Sequence, residues 1–186
     1  MTSFEKDLEK AIEKAKKVKL VAHDVHGVLT NNTFFCDIEG RRKYSFLHQD
    51  GFGHLSFKRL GIEVAFLDTT SIDNEGLYRA QELKLEKCYH KVRDKMTKLE
   101  ELERELGISP ENVCYVGCDV TDINIMKRVG LAIAPADVID EVKRVADYVT
   151  IAPGGRGAIR ELCEFILKAQ GRWENWVEEV AKMGYK

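Results

Sequence analysis

Short apolar segments alternate along the chain with longer amphipathic ones. The apolar segments are rich in β-branched residues and carry few charges, which is typical of strands that are covered on both faces. This alternation predicts βαβ units, and therefore an α/β fold with one parallel sheet flanked by helices. The predicted strands are Val18–Val25, Glu63–Leu67, Lys87–His90, Val113–Gly117, Gly130–Ala134 and Asp147–Thr150.

The amphipathic segments predict helices before and between these strands. Leu99, Leu102 and Leu106, for example, form an apolar stripe at helical spacing. The predicted helices are Phe4–Lys17, Gly51–Leu60, Ile72–Leu83, Lys95–Leu106, Asp122–Val129, Asp137–Val145 and Gly157–Gly171.

The alternation breaks once, directly after the first strand. Within residues 33–46 the segments TFFCD and RKYSF flank IEGR, and Gly40 is available for positive φ in a turn, so a β-hairpin is predicted there. A chain of 186 residues fits one compact domain. We therefore predict a core domain over residues 1–171 that includes the hairpin, followed by a C-terminal helix or tail over residues 172–186.

The composition excludes several classes of protein. The net charge of −2 offers no concentrated basic face for nucleic acid. No apolar run is long enough to span a bilayer, and the N-terminal segment is too charged for a secretory signal, so we expect a cytoplasmic protein without membrane contacts. The five cysteines form no CxxC pair, which argues against a disulfide framework or a zinc ribbon.

Polar residues cluster where the predicted strands end. In an open parallel sheet, ligands bind outside the carboxyl ends of the strands. Each residue alone has an ordinary structural interpretation, as a helix cap, a solvated charge or a packed thiol. Their common position predicts one site, formed by Asp24, His26, Asp68, Thr69, Thr70, Lys95, Cys118, Asp119 and Asp122.

The order and spacing of these residues carry a family resemblance. The matching motifs are DVHGVLTNN at 24–32, QDGFG at 49–53, DK at 94–95, YVGCDVTDINIMKRVGLAIA at 115–134, DYVT at 147–150 and GGRGAIREL at 154–162. Over nearly its whole length the chain resembles the haloacid dehalogenase (HAD) superfamily, and within it the 3-deoxy-octulosonate 8-phosphate phosphatases. That family is also similar to the C-terminal module of some sialic-acid cytidylyltransferases. The resemblance implies a single Rossmann-like domain with a hairpin insertion and no large cap domain.

The resemblance also implies a mechanism. Asp24 would attack phosphorus to form an aspartyl-phosphate, with Lys95 and a Mg²⁺ ion neutralising the charge. The residues at the implied metal-binding positions are Asp24, His26, Cys118, Asp119 and Asp122. The substrate would be a phosphorylated eight- or nine-carbon 2-keto sugar acid. The implied phosphate or substrate contacts are Gly51, Asp68, Thr69, Thr70, Arg156 and Arg160, although Arg160 has the alternative of pairing with a carboxylate of its own chain.

Three motifs depart from the family pattern. His26 replaces the general acid/base, and Cys118 replaces a carboxylate metal ligand although a thiol suits Mg²⁺ poorly. In FLDTTS, Asp68 replaces the phosphate-binding threonine and Thr70 replaces an arginine, so Thr69 is left to supply the hydroxyl. Because the scaffold motifs remain, the leading prediction is an intact fold with weak or lost phosphatase activity.

Two alternatives stay open. The first is a working phosphatase with a rewired site, in which Asp119 binds the metal and His26 carries the proton. In a variant of this alternative, Asp24, His26, Cys118 and Asp119 together offer O, N and S ligands that suit Zn²⁺ or another transition metal such as Co²⁺. The opposing interpretation is that His26 points away and Cys118 is packed. The second is a non-catalytic scaffold or regulator, because the resembled family forms homotetramers through its hairpins. Aromatic residues suited to an interface, or to ordinary packing, are Phe34, Phe35, Tyr44 and Phe46, with Trp173 and Trp176 in the tail.

Overall fold

The chain folds around one parallel sheet, as the alternation predicts. The computed structural model describes residues 3–69 and 75–183. The six strands of the sheet follow the order β5-β4-β1-β6-β7-β8, and every neighbouring pair is parallel. Their bounds are β1 Leu20–His23, β4 Glu63–Leu67, β5 Lys87–Tyr89, β6 Val113–Val116, β7 Leu131–Ala134 and β8 Tyr148–Val149. All six predicted strands are confirmed, most of them with shorter ends.

Helices cover both faces of the sheet. Their bounds are α1 Ser3–Ala15, α2 His48–Arg59, α3 Glu75–Glu82, α4 Lys95–Leu106, α5 Ile123–Arg128, α6 Asp140–Lys143, α7 Ala158–Ala169 and α8 Trp173–Met183, with 3₁₀ turns at Pro110–Asn112 and Val120–Asp122. Helix α2 begins three residues before the predicted Gly51. The predicted start of α3 at Ile72 lies outside the described residues.

Two core layers bury the centre of the sheet, whereas the edge strands β5 and β8 are only partly buried. Alternate residues of β1 point into opposite layers. Val21 lies in one layer with Phe66 and Ile159, and Leu20 lies in the other layer with Leu99. Every residue of β1 is fully buried. This explains why the central predicted strands are mostly apolar instead of alternating between apolar and polar residues.

The predicted hairpin is present and is separate from the sheet. Its strands β2 (Phe35–Cys36) and β3 (Arg42–Lys43) are antiparallel, and Gly40 in the turn has a φ of 79°. Phe35 is 77% exposed. At the other end of the chain, α8 packs on the domain through Trp176, which is buried in the same core layer as α7. No helix in the described ranges is long and apolar enough to cross a bilayer.

Candidate active site

The loop that follows β1 lies at the centre of the sheet's carboxyl edge. Because β1 pairs with β4 on one side and β6 on the other, the loops after all three strands meet there. The GGRG segment packs directly on the β1 loop. Gly155 donates its N–H to the carbonyl of Val28 at 2.8 Å, and a Cβ on Gly154 would lie 2.0 Å from the carbonyl oxygen of Gly27. Only glycine allows this close approach of two backbones.

Lys95 forms ion pairs with two carboxylates at this edge of the sheet. Its Nζ atom lies 2.6 Å from Oδ2 of Asp24 and 2.8 Å from Oδ1 of Asp122. Tyr115 donates its hydroxyl to the same Oδ1 of Asp122 at 2.8 Å. Burial alone would disfavour the ammonium, but the charges of Asp24 and Asp122 outweigh it and raise the pKa of Lys95. Lys95 therefore supplies a fixed positive charge next to Asp24.

Asp24, Cys118 and Asp122 form a group of three side chains with the donor atoms to hold a metal ion. One ligand atom from each of Asp24, Cys118 and Asp122 lies within 4.8 Å of the other two. The Cys118 thiol donates a hydrogen bond to the carbonyl of His26, at an Sγ–O distance of 3.1 Å. Burial, and then the neighbouring carboxylates, raise the pKa of Cys118 far above its ordinary value, so the thiol holds its proton.

This set of donors does not fit Mg²⁺. The ion prefers six oxygen ligands in near-octahedral geometry, whereas here one of three converging side chains is a thiol. The Asp24 and Asp122 carboxylates also already share the Lys95 ammonium. Two carboxylates and a sulfur are a set that suits Zn²⁺ or Co²⁺ better.

The ring of His26 lies against the hairpin. Its centroid is 4.5 Å from that of Tyr44, and the two planes are tilted by 45°. Both ring nitrogens are buried, and neither has a hydrogen-bond partner in the described part of the chain. The ring does not belong to the group of metal-binding side chains that Asp24 forms. The backbone of His26 faces the site, whereas its imidazole packs against an aromatic side chain.

The remaining predicted residues of the strand ends differ in burial. Asp119 is exposed, and its Oδ1 accepts the N–H of Val120 at 2.7 Å in a 3₁₀ turn. Asp68 is buried at 2% exposure, and its carbonyl accepts the N–H of Val92 at 2.9 Å. Thr69 is exposed, and Thr70 lies outside the described residues. The structure thus brings Asp122, and not Asp119, to Asp24.

Gly51 and Arg160 have packing or ion-pair partners outside this group, whereas Arg156 follows the two glycines that contact the loop after β1. A Cβ on Gly51 would meet the Arg79 guanidinium at 2.3 Å, so the glycine packs on an arginine. Arg156 is exposed at the surface. Arg160 forms a 2.9 Å ion pair with Glu164, which is the internal pairing that the sequence left open. Its guanidinium also lies over two aromatic rings and lines a cavity of about 370 Å³ beside α8.

Comparisons with known proteins identify the family of the chain. Residues 63–157 match the family model of haloacid dehalogenase-like hydrolases. The chain is 35% identical over 164 residues to the 3-deoxy-D-manno-octulosonate 8-phosphate phosphatase of Escherichia coli K12, covering 87% of this chain and 85% of the relative. The chain belongs to this phosphatase family. The corresponding phosphatase of Yersinia pestis is 33% identical over 166 residues, 88% of this chain and 87% of that relative.

Solved structures of the phosphatase family share the fold. A structure of the Moraxella catarrhalis phosphatase in complex with magnesium, phosphate and KDO superposes with a TM-score of 0.88 at 33% identity, covering 92% of this chain and 98% of that one. The cobalt-bound phosphatase of Haemophilus influenzae superposes with a TM-score of 0.83 at 31% identity, covering 91% and 97%. Members of the family thus have structures with two different divalent cations.

Sequence reasoning missed three polar groups that support the phosphatase-like site. Asp50 is buried and accepts the N–H of Gly157 at 3.1 Å and that of Arg160 at 2.9 Å, which joins the QDGFG motif to the start of α7. His23 and His54 form a buried pair directly behind Asp24. Burial lowers the pKa of His23 to about 4. The sequence signal that could have revealed them is a polar residue in an otherwise apolar strand or helix face, such as His23 at the end of KLVAH.

Proposed function

We propose that this member of the phosphatase family binds a phosphorylated eight- or nine-carbon 2-keto sugar acid and hydrolyses it weakly or not at all. The substrate class rests on the relatives, which are named as 3-deoxy-D-manno-octulosonate 8-phosphate phosphatases. The observation that supports a loss of activity is the Cys118 thiol, which donates a hydrogen bond to the carbonyl of His26. It occupies the position where the family resemblance implies a metal ligand.

The chain retains the nucleophile of the implied reaction. A carboxylate oxygen of Asp24 would form a bond to phosphorus while the bond from phosphorus to the sugar oxygen breaks. Lys95, at 2.6 Å from Asp24, would neutralise the charge that accumulates on the phosphoryl oxygens. Water would then hydrolyse the aspartyl-phosphate and release inorganic phosphate.

The proton transfer that completes this reaction lacks a well-placed group. The departing sugar alkoxide must take up a proton, and the family position for its donor is residue 26. The His26 ring is packed on Tyr44, at 4.5 Å between centroids. Losing general acid–base catalysis slows such reactions by about 10² to 10⁴. Slow release of the alkoxide is therefore expected even where phosphate binds well.

A second candidate is an enzyme that works with a thiophilic cation. Asp24, Cys118 and Asp122 would hold Zn²⁺ or Co²⁺, with Cys118 bound as the thiolate after its proton is lost. Such an ion would supply Lewis-acid polarisation of the phosphoryl group. The observation that favours this candidate is the convergence of the three ligand atoms within 4.8 Å.

Phosphate release from 2-keto sugar-acid phosphates decides between these candidates. The assay is run with magnesium, manganese, cobalt and zinc supplied separately, and Asp24→Asn is the control because it keeps the shape and removes the nucleophile. Release no faster than in Asp24→Asn under every metal supports lost hydrolysis. Turnover near one per second, within the ordinary enzyme range, with zinc or cobalt would support the thiophilic enzyme and overturn the leading proposal.

A restored variant tests whether the site has simply decayed. His26→Asp, Cys118→Asp and Asp68→Thr are combined, and the same triple change with Asp24→Asn is the matched control. We expect the rate with magnesium to rise by a factor of about 100 or more. A lower rate in the triple variant would mean that the present residues are the working set.

We also propose that the hairpin mediates assembly into a homotetramer. Phe35 is 77% exposed, and Ile38 is fully exposed at the same hairpin. Phe35→Glu should then reduce the mass measured by sedimentation. Ile151→Glu is the control, because Ile151 is 87% exposed on a different segment. A single species of monomer mass in the unmodified protein would contradict the proposal.

A further inference from the structure

Two buried histidines lie directly behind the nucleophile Asp24. His23 is the last residue of β1 and His54 lies in α2, and both are fully buried. Their Nε2 atoms are 2.9 Å apart. The ring of Phe66 packs against both, at centroid distances of 4.6 Å and 5.2 Å. The two rings therefore have little freedom to turn.

The partners of these rings define where their protons are. Nδ1 of His23 lies 2.7 Å from the carbonyl oxygen of Asp24, and a carbonyl only accepts, so Nδ1 carries the proton. The two Nε2 atoms, 2.9 Å apart, can share only one proton, and with Nδ1 protonated the neutral ring of His23 presents Nε2 as the acceptor. Nε2 of His54 must then be the donor at 2.9 Å. Nδ1 of His54 is left as a buried acceptor without a partner among the described residues.

This arrangement acts on the nucleophile through one peptide unit. The carbonyl of Asp24 and the N–H of Val25 belong to the same rigid plane. His23 holds the oxygen end of that plane, and the N–H end donates to Oδ1 of Asp24 at 2.7 Å. Lys95 holds the other carboxylate oxygen, Oδ2. Rotation of the peptide would therefore move Oδ1 away from its present position.

We propose that His23 is a positioning residue for Asp24, and that His54 keeps His23 in the tautomer that does this. The proposal rests on the proposed function in one respect, the role of Asp24 as nucleophile. The hydrogen-bond chain runs from Nε2 of His54 to Nε2 of His23, and from Nδ1 of His23 to the carbonyl of Asp24. The carboxylate is thereby oriented from the core side as well as from the side of Lys95.

The first test is an NMR measurement that needs no turnover. In protein labelled with ¹⁵N, long-range imidazole correlations should show His23 protonated at Nδ1 and His54 protonated at Nε2. Hydrogen exchange of the Val25 amide is measured in the same samples. The opposite tautomers would overturn the proposal whatever the activity of the protein.

Variants separate positioning from simple packing. His23→Leu fills the space but removes the donor, whereas His23→Asn keeps a side-chain N–H close to the place of Nδ1. We expect the Val25 amide to exchange at least tenfold faster in His23→Leu and to recover most of its protection in His23→Asn. Leu102→Ala is the control for general loss of stability, because Leu102 is buried in the opposite core layer. Equal exchange in His23→Leu and Leu102→Ala, at matched stability, would contradict the proposal.

Turnover supplies the second arm. Where the unmodified protein releases phosphate from an aryl phosphate, His23→Leu should lower kcat by about 10- to 100-fold with little change in KM, because a misplaced nucleophile affects the transition state most. His54→Leu should have a smaller effect in the same direction. If the unmodified protein releases no phosphate, hydrolysis is absent, and the NMR arm still decides whether His23 positions Asp24.

Discussion

The Sγ atom of Cys118 lies 3.1 Å from the backbone carbonyl oxygen of His26 and donates a hydrogen bond to it. The two residues that depart most from the family's chemistry are thus direct neighbours. Space for the thiol exists because residue 27 is glycine: a Cβ there would lie 2.8 Å from Sγ. Gly27 also has a φ of 83°, which favours glycine. The substituted site is therefore a packed arrangement with its own internal contacts.

Cys118→Asp should convert the site to one that binds magnesium. The added carboxylate joins Asp24 and Asp122, and three carboxylates around one lysine need a further cation. We expect millimolar Mg²⁺ to raise the Tm of the variant by several degrees and to leave that of the unmodified protein unchanged. Thermal unfolding with and without the ion measures this. Cys88→Ser is the matched control, and a magnesium shift of similar size in it would contradict the assignment.

Lys95→Met should strongly destabilise the fold. It leaves the buried carboxylates of Asp24 and Asp122 without their cation, and breaking such a pair typically costs about 3 to 5 kcal/mol. Urea unfolding measures the free energy. Lys98→Met, one turn later on α4, is the control because Lys98 pairs with Glu101 near the surface; its cost should stay below about 1 kcal/mol. A similar loss of unfolding free energy in the two variants would show that Lys95 does not stabilise the buried carboxylates of Asp24 and Asp122.

Asp50→Ala should loosen the start of α7. The carboxylate of Asp50 accepts two backbone N–H groups there, and it is only 2% exposed. Leaving both donors unsatisfied should cost about 2 to 4 kcal/mol. Asp94→Ala provides the comparison, because Asp94 caps α4 from an exposed position and should cost about 1 kcal/mol. The free energy of unfolding is measured for both variants with a denaturant. A larger loss in Asp94→Ala than in Asp50→Ala would contradict the role given to Asp50.

Stability should fall as the pH is lowered through the range in which unfolded histidine titrates. Burial lowers the pKa of His23 to about 4, whereas in the unfolded chain it is 6.5. Between these values the unfolded state binds a proton that the folded state does not, so acid favours unfolding. His23 alone should contribute a loss of about 2 kcal/mol between pH 7.5 and pH 5. His54, whose pKa is lowered by burial, by His23 and by Arg79, adds to the same trend.

The measurement is urea unfolding at several pH values. His23→Leu should flatten the dependence over this range. His90→Gln is the control, because His90 is exposed, and its slope should match that of the unmodified protein. A slope in His23→Leu as steep as in the unmodified protein would refute the assignment of this acid sensitivity to His23.

The sequence predicted more of the fold than of the site. The central strands follow from apolar runs, because a strand buried on both faces needs an unbroken apolar segment, whereas the edge strands β5 and β8 are more polar and only partly buried. The hairpin follows from its turn residues and Gly40. Helix α2 was predicted to begin too late, because the polar residues His48 and Gln49 carry no apolar periodicity although they lie in its first turn. Asp50, in the same turn, was missed because its partners are more than a hundred residues away.

By itself, the sequence determined the α/β class, the family and the set of residues at the strand ends, since these depend on local periodicity and on motif spacing. Only the tertiary structure decided which side chains meet. Asp24 and Lys95 are 71 residues apart, and the contact between them depends on how α4 packs against the sheet. The same packing brings Asp122 to the site, turns Asp119 outward and places the His26 ring on Tyr44. Residue identity specifies what a side chain can do, but its direction follows from neighbours that the chain supplies from distant segments.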